Sequence, residues 1–369
     1  MLGKKLKGPT PRPPWGTHVA CTVVVGGFFG DEGKGKLTAY LALRDRPAIV
    51  ARGGVGPNAG HTVQTQGKTY SLRMLPSGFV CRESRLLIGP GVLVNPNVLL
   101  KEVEVTETKD RVGVDRQCAI IEEKHIDEES RSEHLVKKIG VTKSGVGACN
   151  ADRVLRSAKL ARDVPELSGF LADASEEIDE ALHERSRVLL EGSQGTFLSL
   201  FHGTYPYCTS KDVCASAICS DVGIGPTAVD DVIVVFKAYV TRVGEGPLEG
   251  QLSEEEARRR GWQEFGTVTR RPRRAAPFNF DLAAKAVRLN GATQAAVTKI
   301  DVVFPDAVGT KRFEDLPSAA REFVAQVEKA IGIPVTLIGT GPSSEDLIDR
   351  TPARSGEAHD FPGTGSLKP

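Results

Sequence analysis

At 369 residues, 40% of them hydrophobic and 26% charged, the chain is long enough for a sizeable core, and its net charge of +1 excludes a globally basic nucleic-acid binder and an acidic disordered tail. Seven cysteines, an odd number with no C-x-x-C pair, signal neither a disulfide framework nor a zinc site, and the default for such thiols is a reducing cytoplasm. No run approaches the ~18–20 apolar residues of a membrane span.

Residues 1–17 are basic and Pro-rich (Lys4, Lys5, Lys7, Arg12) and lack the apolar stretch of a secretory signal. They read as a flexible extension, with a targeting or nucleic-acid role as the alternative. The apolar run Val19–Val25, closed by Gly26 and Gly27, predicts a buried strand. Phe28–Lys36 then forms a glycine loop before a helical run through Leu37, Tyr40 and Leu41. Strand, glycine loop and helix is the unit that presents backbone N–H groups to anions. A second strand is expected at Ala48–Ala51, followed by the glycine cluster Gly53–Gly60. Further buried strands are expected at Leu86–Ile88, Val188–Leu190, Val232–Phe236, Ala295–Thr298 and Val335–Ile338, with helices at Ser175–Arg187 and Leu282–Leu289. This alternation predicts an α/β fold, a mainly parallel central sheet with helices on both faces and a P-loop-GTPase-like nucleotide site. One catalytic domain is expected over residues 18–350, and the Gly-, Pro- and Ser-rich residues 351–369 read as a flexible tail.

Two motifs carry chemistry. Gly30-Asp31-Glu32-Gly33-Lys34-Gly35-Lys36 resembles a phosphate loop but departs from the Walker pattern, with Phe28 where its first glycine belongs and Gly35 after the lysine. Lys34 and the loop amides suit phosphate oxygens. Asp31 is out of place beside a phosphate unless it meets a metal or takes a proton from substrate. The second motif, Arg52-Gly53-Gly54-Val55-Gly56-Pro57-Asn58-Ala59-Gly60-His61-Thr62, delivers His61 from a strand end, where ligands bind in open α/β sheets. A protonated imidazole there would stabilise a transferring phosphoryl group.

Together, GDEGKGK and GG-x-G-x-NAGHT resemble the adenylosuccinate synthetase family. The match continues through Glu191–Thr196, Gly203–Ser210, Gly223–Pro226, Lys237–Gly244, Arg271–Arg274 and Thr298–Asp301, and the chain resembles the compact archaeal-type branch. The resemblance implies a ligase that phosphorylates the 6-oxo group of a purine nucleoside monophosphate at the expense of a nucleoside triphosphate, then lets L-aspartate's amine displace the phosphate. It implies that Asp31 takes the N1 proton, that His61 assists phosphoryl transfer, and that Lys34 and Gln194 complete the catalytic set. Asp31 and the Gly60 carbonyl would contact Mg2+. The triphosphate site would comprise Gly30, Glu32, Gly33, Lys34, Gly35, Lys36, Gly60, His61, Thr62, Gly339 and Gly341, with Lys299 and Asp301 at its purine end, where an aspartate favours GTP. The monophosphate would meet Asp31, Asn58, Ala59, Thr142, Gln194, Thr209 and Arg271. Arg156 would reach it across a homodimer interface. Thr267, Val268, Thr269, Arg271 and Arg273 would hold aspartate, because paired guanidinium forks suit a dicarboxylate. Neither nucleic acid nor membrane is implied as a partner.

The chain departs from the family pattern at Phe28-Phe29 (Gln-Trp), Arg270 (Gly), Ala275-Ala276-Pro277 (Cys-Gly-Trp) and Val268 (Thr). These changes flank substrate segments and hint at an altered nucleotide. A viral branch, 2-aminoadenylosuccinate synthetase, uses dGMP instead of IMP, and many of its members lose the catalytic Asp that is kept here as Asp31. The reading leans slightly to dGMP, with ATP or dATP able to replace GTP and a host cytoplasm as the setting. IMP with GTP is the alternative. A GTPase-like regulatory or binding module is the reading from another class, and the Arg271–Arg274 loop, Asp31 and His61 speak against it.

Overall fold

The computed structural model describes residues 20–266 and 271–352. The expectations for the N-terminal extension and for the tail after Pro352 fall outside these residues. Ten strands form the central sheet: β1 (Cys21–Gly26), β2 (Ile49–Arg52), β3 (Arg85–Ile88), β4 (Val112–Asp115), β5 (Leu171–Ala172), β6 (Val188–Glu191), β7 (Asp231–Lys237), β8 (Gln294–Thr298), β9 (Val335–Gly339) and β10 (Leu347–Asp349). Their order is β10-β9-β8-β7-β1-β6-β2-β3-β4-β5. Every pairing is parallel except β9 with β10.

The central strands are buried on both faces, as near-continuous apolar runs require. Val23, Val25, Leu190, Val234 and Phe236 point into one core, roofed by helices at 174–183, 215–222, 280–290 and 318–331. Their neighbours Val24, Leu189, Ile233 and Val235 point into the other, under helix α1 (Lys34–Asp45) and the helix at 96–106. This is the α/β architecture that the sequence predicts.

All seven expected strands form, with ends shifted by at most two residues. The predicted helix Ser175–Arg187 instead spans Ala174–His183, because Arg185 turns left-handed (φ 58°) to let Val188 pair with Cys21. Strands β4, β5 and β10 are too short or too interrupted to show a period in sequence. So are the hairpin of His61–Thr65 with Lys68–Leu72 and the pairing of Tyr239–Arg242 with Arg274–Pro277. From β1 the chain skips a place to β2, runs outward to β5, returns to fill the gap with β6, then builds β7 to β10 on the far side. The carboxyl ends of β1, β2, β6, β7 and β8 therefore share one edge, where the glycine loops gather. Among the described residues, no helix is long and apolar enough to cross a membrane.

Candidate active site

The loop after β1 is closed from within. Glu32 is buried, and its carboxylate accepts from Phe28 N (2.9 Å) and Gly30 N (2.8 Å) while facing Lys34 Nζ at 3.3 Å. The Glu32 side chain is spent on the loop itself. Gly30 adopts φ +97°, and a Cβ there would lie 2.9 Å from Gln194 Cα, so the β1 and β6 loops touch backbone to backbone. Lys36 is likewise engaged: Nζ donates to Gly341 O and Asp346 O, both at 2.6 Å, and burial pulls it down to about 8. Its ammonium ties the first turn of α1 to the turn after β9, and a Cβ on Gly339 would come within 3.2 Å of it. Thr298 Oγ1 donates to Glu32 O at 2.7 Å, joining β8 to the same loop. Beyond β8, Lys299 is exposed in a left-handed conformation (φ 62°). Asp301 Oδ1 is buried without a hydrogen-bond partner, and burial raises its carboxyl.

His61 sits at the start of its hairpin, 3% exposed, with Nδ1 2.5 Å from Glu191 Oε1 and 2.6 Å from Arg52 Nη1. Burial, then Arg52, lower the imidazole to about 4, so the ring is neutral at pH 7. Burial pushes Glu191 up, but His61 and Arg52 hold it down at about 2. Nδ1 thus stands between the Glu191 acceptor and the Arg52 donor, and Nε2 is left buried without a partner. Burial and Arg52 oppose the protonated imidazole that the sequence reading expects, while Glu191 favours it. Gly35 packs its face against His61 Cβ, while Thr62 is exposed on the hairpin.

Beside these loops lies a cavity of about 370 Å³. Gly30, Asp31, Asn58, Ala59 and Gly60 line it from the β1 and β2 loops. Gln194 and Thr209 line it from the segments after β6, Thr142 from the helical region, and Arg271 and Arg273 from beyond β7. A relay crosses its wall: Ser193 Oγ donates to Gln194 Oε1 (2.5 Å), Gln194 Nε2 to Asn58 Oδ1 (2.8 Å), and Asn58 Nδ2 to Thr209 Oγ1 (3.2 Å). Gly54 makes the relay possible, because at φ +93° it leaves room for Ser193 Oγ where a Cβ would lie 2.0 Å away. Arg271 Nη2 donates to Gly140 O at 2.6 Å.

Asp31 Oδ2 accepts from Thr241 Oγ1 and faces Lys237 Nζ at 3.4 Å and Arg273 Nε at 3.3 Å. Asp31 and Gly60 both line the cavity, and a carboxylate and a backbone carbonyl are the hard oxygen donors that Mg2+ takes. One other group among the described residues, His202, Asp212 and Cys214, brings donor atoms within 4.8 Å of one another. Asp212 there already accepts from Ser199 Oγ (2.7 Å) and Val213 N (2.8 Å), serving a local turn.

Arg156 is exposed at the end of the helix 146–155, outside the cavity, with Val154 and Leu155 beside it 69% and 73% exposed. Thr267, Val268 and Thr269 lie outside the described residues. Sequence reasoning gave no role to Lys237, Glu264, Arg242 or Glu129. Lys237 had a signal, a lysine ending an otherwise apolar strand. Arg242 is a buried cavity-lining cation over the Phe29 ring (4.5 Å). Glu129 accepts from Gly145 N (2.8 Å) and Gly147 N (2.6 Å) at a helix start on the cavity wall.

The departures that pointed to dGMP mostly lie away from the cavity. Phe28 packs on Phe236 and Phe278, with ring centroids 5.0 and 5.3 Å away, Ala276 is core, and Pro277 is exposed. Phe29 does line the cavity, and Arg270 is outside the described residues. Exchanges in the core and on the surface do not report on the base that binds.

A family profile described as adenylosuccinate synthetase matches residues 23–166 and 158–307. The adenylosuccinate synthetase of Archaeoglobus fulgidus is 54% identical over 331 residues, 90% of this chain and 98% of that protein. That of Methanocaldococcus jannaschii is 54% identical over 334 residues, 90% and 97% of the two chains. Among solved structures, the fully ligated adenylosuccinate synthetase of Plasmodium falciparum shares the fold, with TM-score 0.83 and 23% identity over 89% of this chain and 99% of that one. The cyanophage S-2L succinoaminodeoxyadenylate synthetase bound to dGMP and dATP has TM-score 0.76 and 27% identity, covering 91% and 97%.

Proposed function

We propose that this chain, which belongs to the adenylosuccinate synthetase family and is a C–N bond-forming ligase, joins L-aspartate to IMP with GTP as phosphate donor. The observation that carries this reading is the single cavity that gathers Asp31, Gln194, Asn58 and Thr209 with Arg271 and Arg273. It puts a base, hydroxyl and amide ligands for a nucleotide, and two guanidinium groups for a dicarboxylate within one volume.

Asp31 accepts the N1 proton as O6 attacks the γ-phosphorus. The O6–P bond forms, the bond from that phosphorus to the β,γ-bridging oxygen breaks, and the nucleoside diphosphate leaves. The amine of aspartate then attacks C6, inorganic phosphate departs with O6, and the amine sheds its extra proton. Gln194 and Thr209, joined through Asn58, fix the monophosphate, and Arg271 and Arg273 orient aspartate. His61 presents the unpartnered Nε2 to the triphosphate side. A neighbouring polyanion raises its proton affinity, so the ring gains its stabilising charge only when substrate arrives. Lys34 and the loop amides would hold phosphate oxygens. Mg2+, when bound by Asp31 and the Gly60 carbonyl, supplies charge neutralisation to the phosphates. The unpartnered Asp301 Oδ1 suits the N1–H and N2–H of guanine and supports GTP.

For the acceptor, the alternative in the sequence reading now leads. The 54% identity to archaeal adenylosuccinate synthetases, against 27% to the dGMP-bound cyanophage enzyme, supports IMP, as does the retention of Asp31. Arg156, exposed beside Val154 and Leu155, supports a homodimer in which each subunit lends that arginine to its partner's monophosphate. The test is a matrix of IMP, GMP and dGMP against GTP, ATP and dATP with aspartate present, read by product mass. The expected result is product from IMP and GTP, and a higher kcat/KM for dGMP than for IMP would overturn the acceptor assignment.

A further inference from the structure

Glu264 does not line the cavity, yet it completes an arrangement that reaches into it. Its carboxylate is 3.0 Å from Lys237 Nζ and 2.5 Å from Arg273 Nη1. Each of those cations also faces Asp31, at 3.4 and 3.3 Å. The four side chains therefore form a closed ring of alternating charge, Asp31, Lys237, Glu264, Arg273, with no net charge. Lys237 is 1% exposed and Glu264 16% by side chain, so water screens the ring poorly. Although burial opposes it, Lys237 and then Arg273 hold the Glu264 carboxyl well below the usual carboxylate range. Tyr239 OH donates to the other Glu264 oxygen at 2.5 Å.

The ring also lies where two described segments, 264–266 and 271–273, meet. Arg273 N donates to Glu264 O at 2.8 Å and Gly266 N to Arg271 O at 2.8 Å, so the charge pair lies at the base of the connection between Gly266 and Arg271.

We propose that Glu264 is a positioning residue that sets the affinity for L-aspartate, by holding Arg273 off Asp31 and in place to receive a substrate carboxylate. This rests on the reading of Arg273 as an aspartate contact. With Glu264 anionic, each cation is shared between two carboxylates. With that charge removed, Lys237 and Arg273 have Asp31 as their one remaining anion in the ring. Arg273 then collapses onto it, leaving the aspartate position and making Asp31 a weaker base for the N1 proton.

The experiment is steady-state kinetics on Glu264→Gln, which keeps shape and a hydrogen-bond acceptor, beside Arg273→Leu and Tyr239→Phe. Glu264→Gln is expected to raise the aspartate KM at least tenfold and to lower kcat, with the purine monophosphate KM within twofold of wild type. Tyr239→Phe removes one neutral contact to the same carboxylate and is expected to leave the aspartate KM within twofold. If Glu264→Gln does not fold, Glu264→Asp, which keeps the charge and only shortens the reach, should raise the aspartate KM less than tenfold, and the purine monophosphate KM should again stay within twofold. An unchanged aspartate KM in Glu264→Gln, or equal rises for every substrate, overturns the proposal while a large rise in Arg273→Leu leaves the aspartate site standing. An unchanged aspartate KM in Arg273→Leu overturns the reading of that site and this proposal with it.

Discussion

Asp31→Asn separates chemistry from architecture. The side chain is 9% exposed and touches Thr241, Lys237 and Arg273 through Oδ2. Asparagine keeps the volume and one acceptor oxygen, so the Thr241 contact survives. The charge ring goes from neutral to one net positive charge, but Lys237 and Arg273 each retain Glu264. The stability cost is therefore expected at the lower end of the roughly 1–3 kcal/mol typical of a compromised buried polar partner. The catalytic cost is larger. An amide cannot accept the N1 proton, and a positioned base is worth about 10²–10⁴-fold, or roughly 3–5 kcal/mol of barrier. The surplus positive charge favours the dicarboxylate, so the aspartate KM should not rise. The assay is nucleoside diphosphate release with product mass, alongside calorimetric binding of the monophosphate and a melting curve. A folded variant that binds IMP and turns over ~10²-fold or more slowly is expected. Near-normal turnover would falsify the role of Asp31 as base, and so would a loss confined to the aspartate KM.

Arg156→Leu and Asp31→Asn, each inactive alone, should partly restore activity when mixed, since a mixed dimer holds one site free of both lesions; no recovery despite demonstrated subunit exchange counts against a shared site. Lys36 gives a pH signature: burial disfavours its charged form and pulls it down to about 8, below the 10.5 of an ordinary lysine. The destabilisation is full below about pH 8 and is relieved as pH rises toward 10.5. Relative to Lys36→Met, the wild-type chain should gain roughly 2 kcal/mol between about pH 7.5 and pH 9.5 in urea denaturation, and a flat difference would show that Lys36 does not titrate there.

Much of this protein is written locally. The run before Gly26, the glycine spacing of residues 30–36 and the Gly53–Gly60 cluster announce a strand end and a phosphate-binding turn, because only such backbone lets amides converge on an anion. Apolar runs at 232–236 and 295–298 announce strands buried on both faces for the same local reason. Motif resemblance then supplied Asn58, Thr142, Gln194, Thr209, Arg271 and Arg273, and the fold brings all six to one cavity. What sequence leaves open is which partner each charge takes. Glu32 and Lys36 read as nucleotide ligands in a loop dense with charge, yet one closes the loop and the other ties down a turn some 305 residues away. Lys237 and Asp31 are 206 residues apart and meet because β7 lies beside β1, a neighbourhood fixed by strand order alone. The surroundings of His61 are set in the same way: burial and Arg52 lower its imidazole while Glu191 raises it, and Arg52 stands opposite Glu191 because β2 and β6 pair in parallel. Electrostatic partners depend on distance and burial in three dimensions, and neither is carried by residue type or spacing.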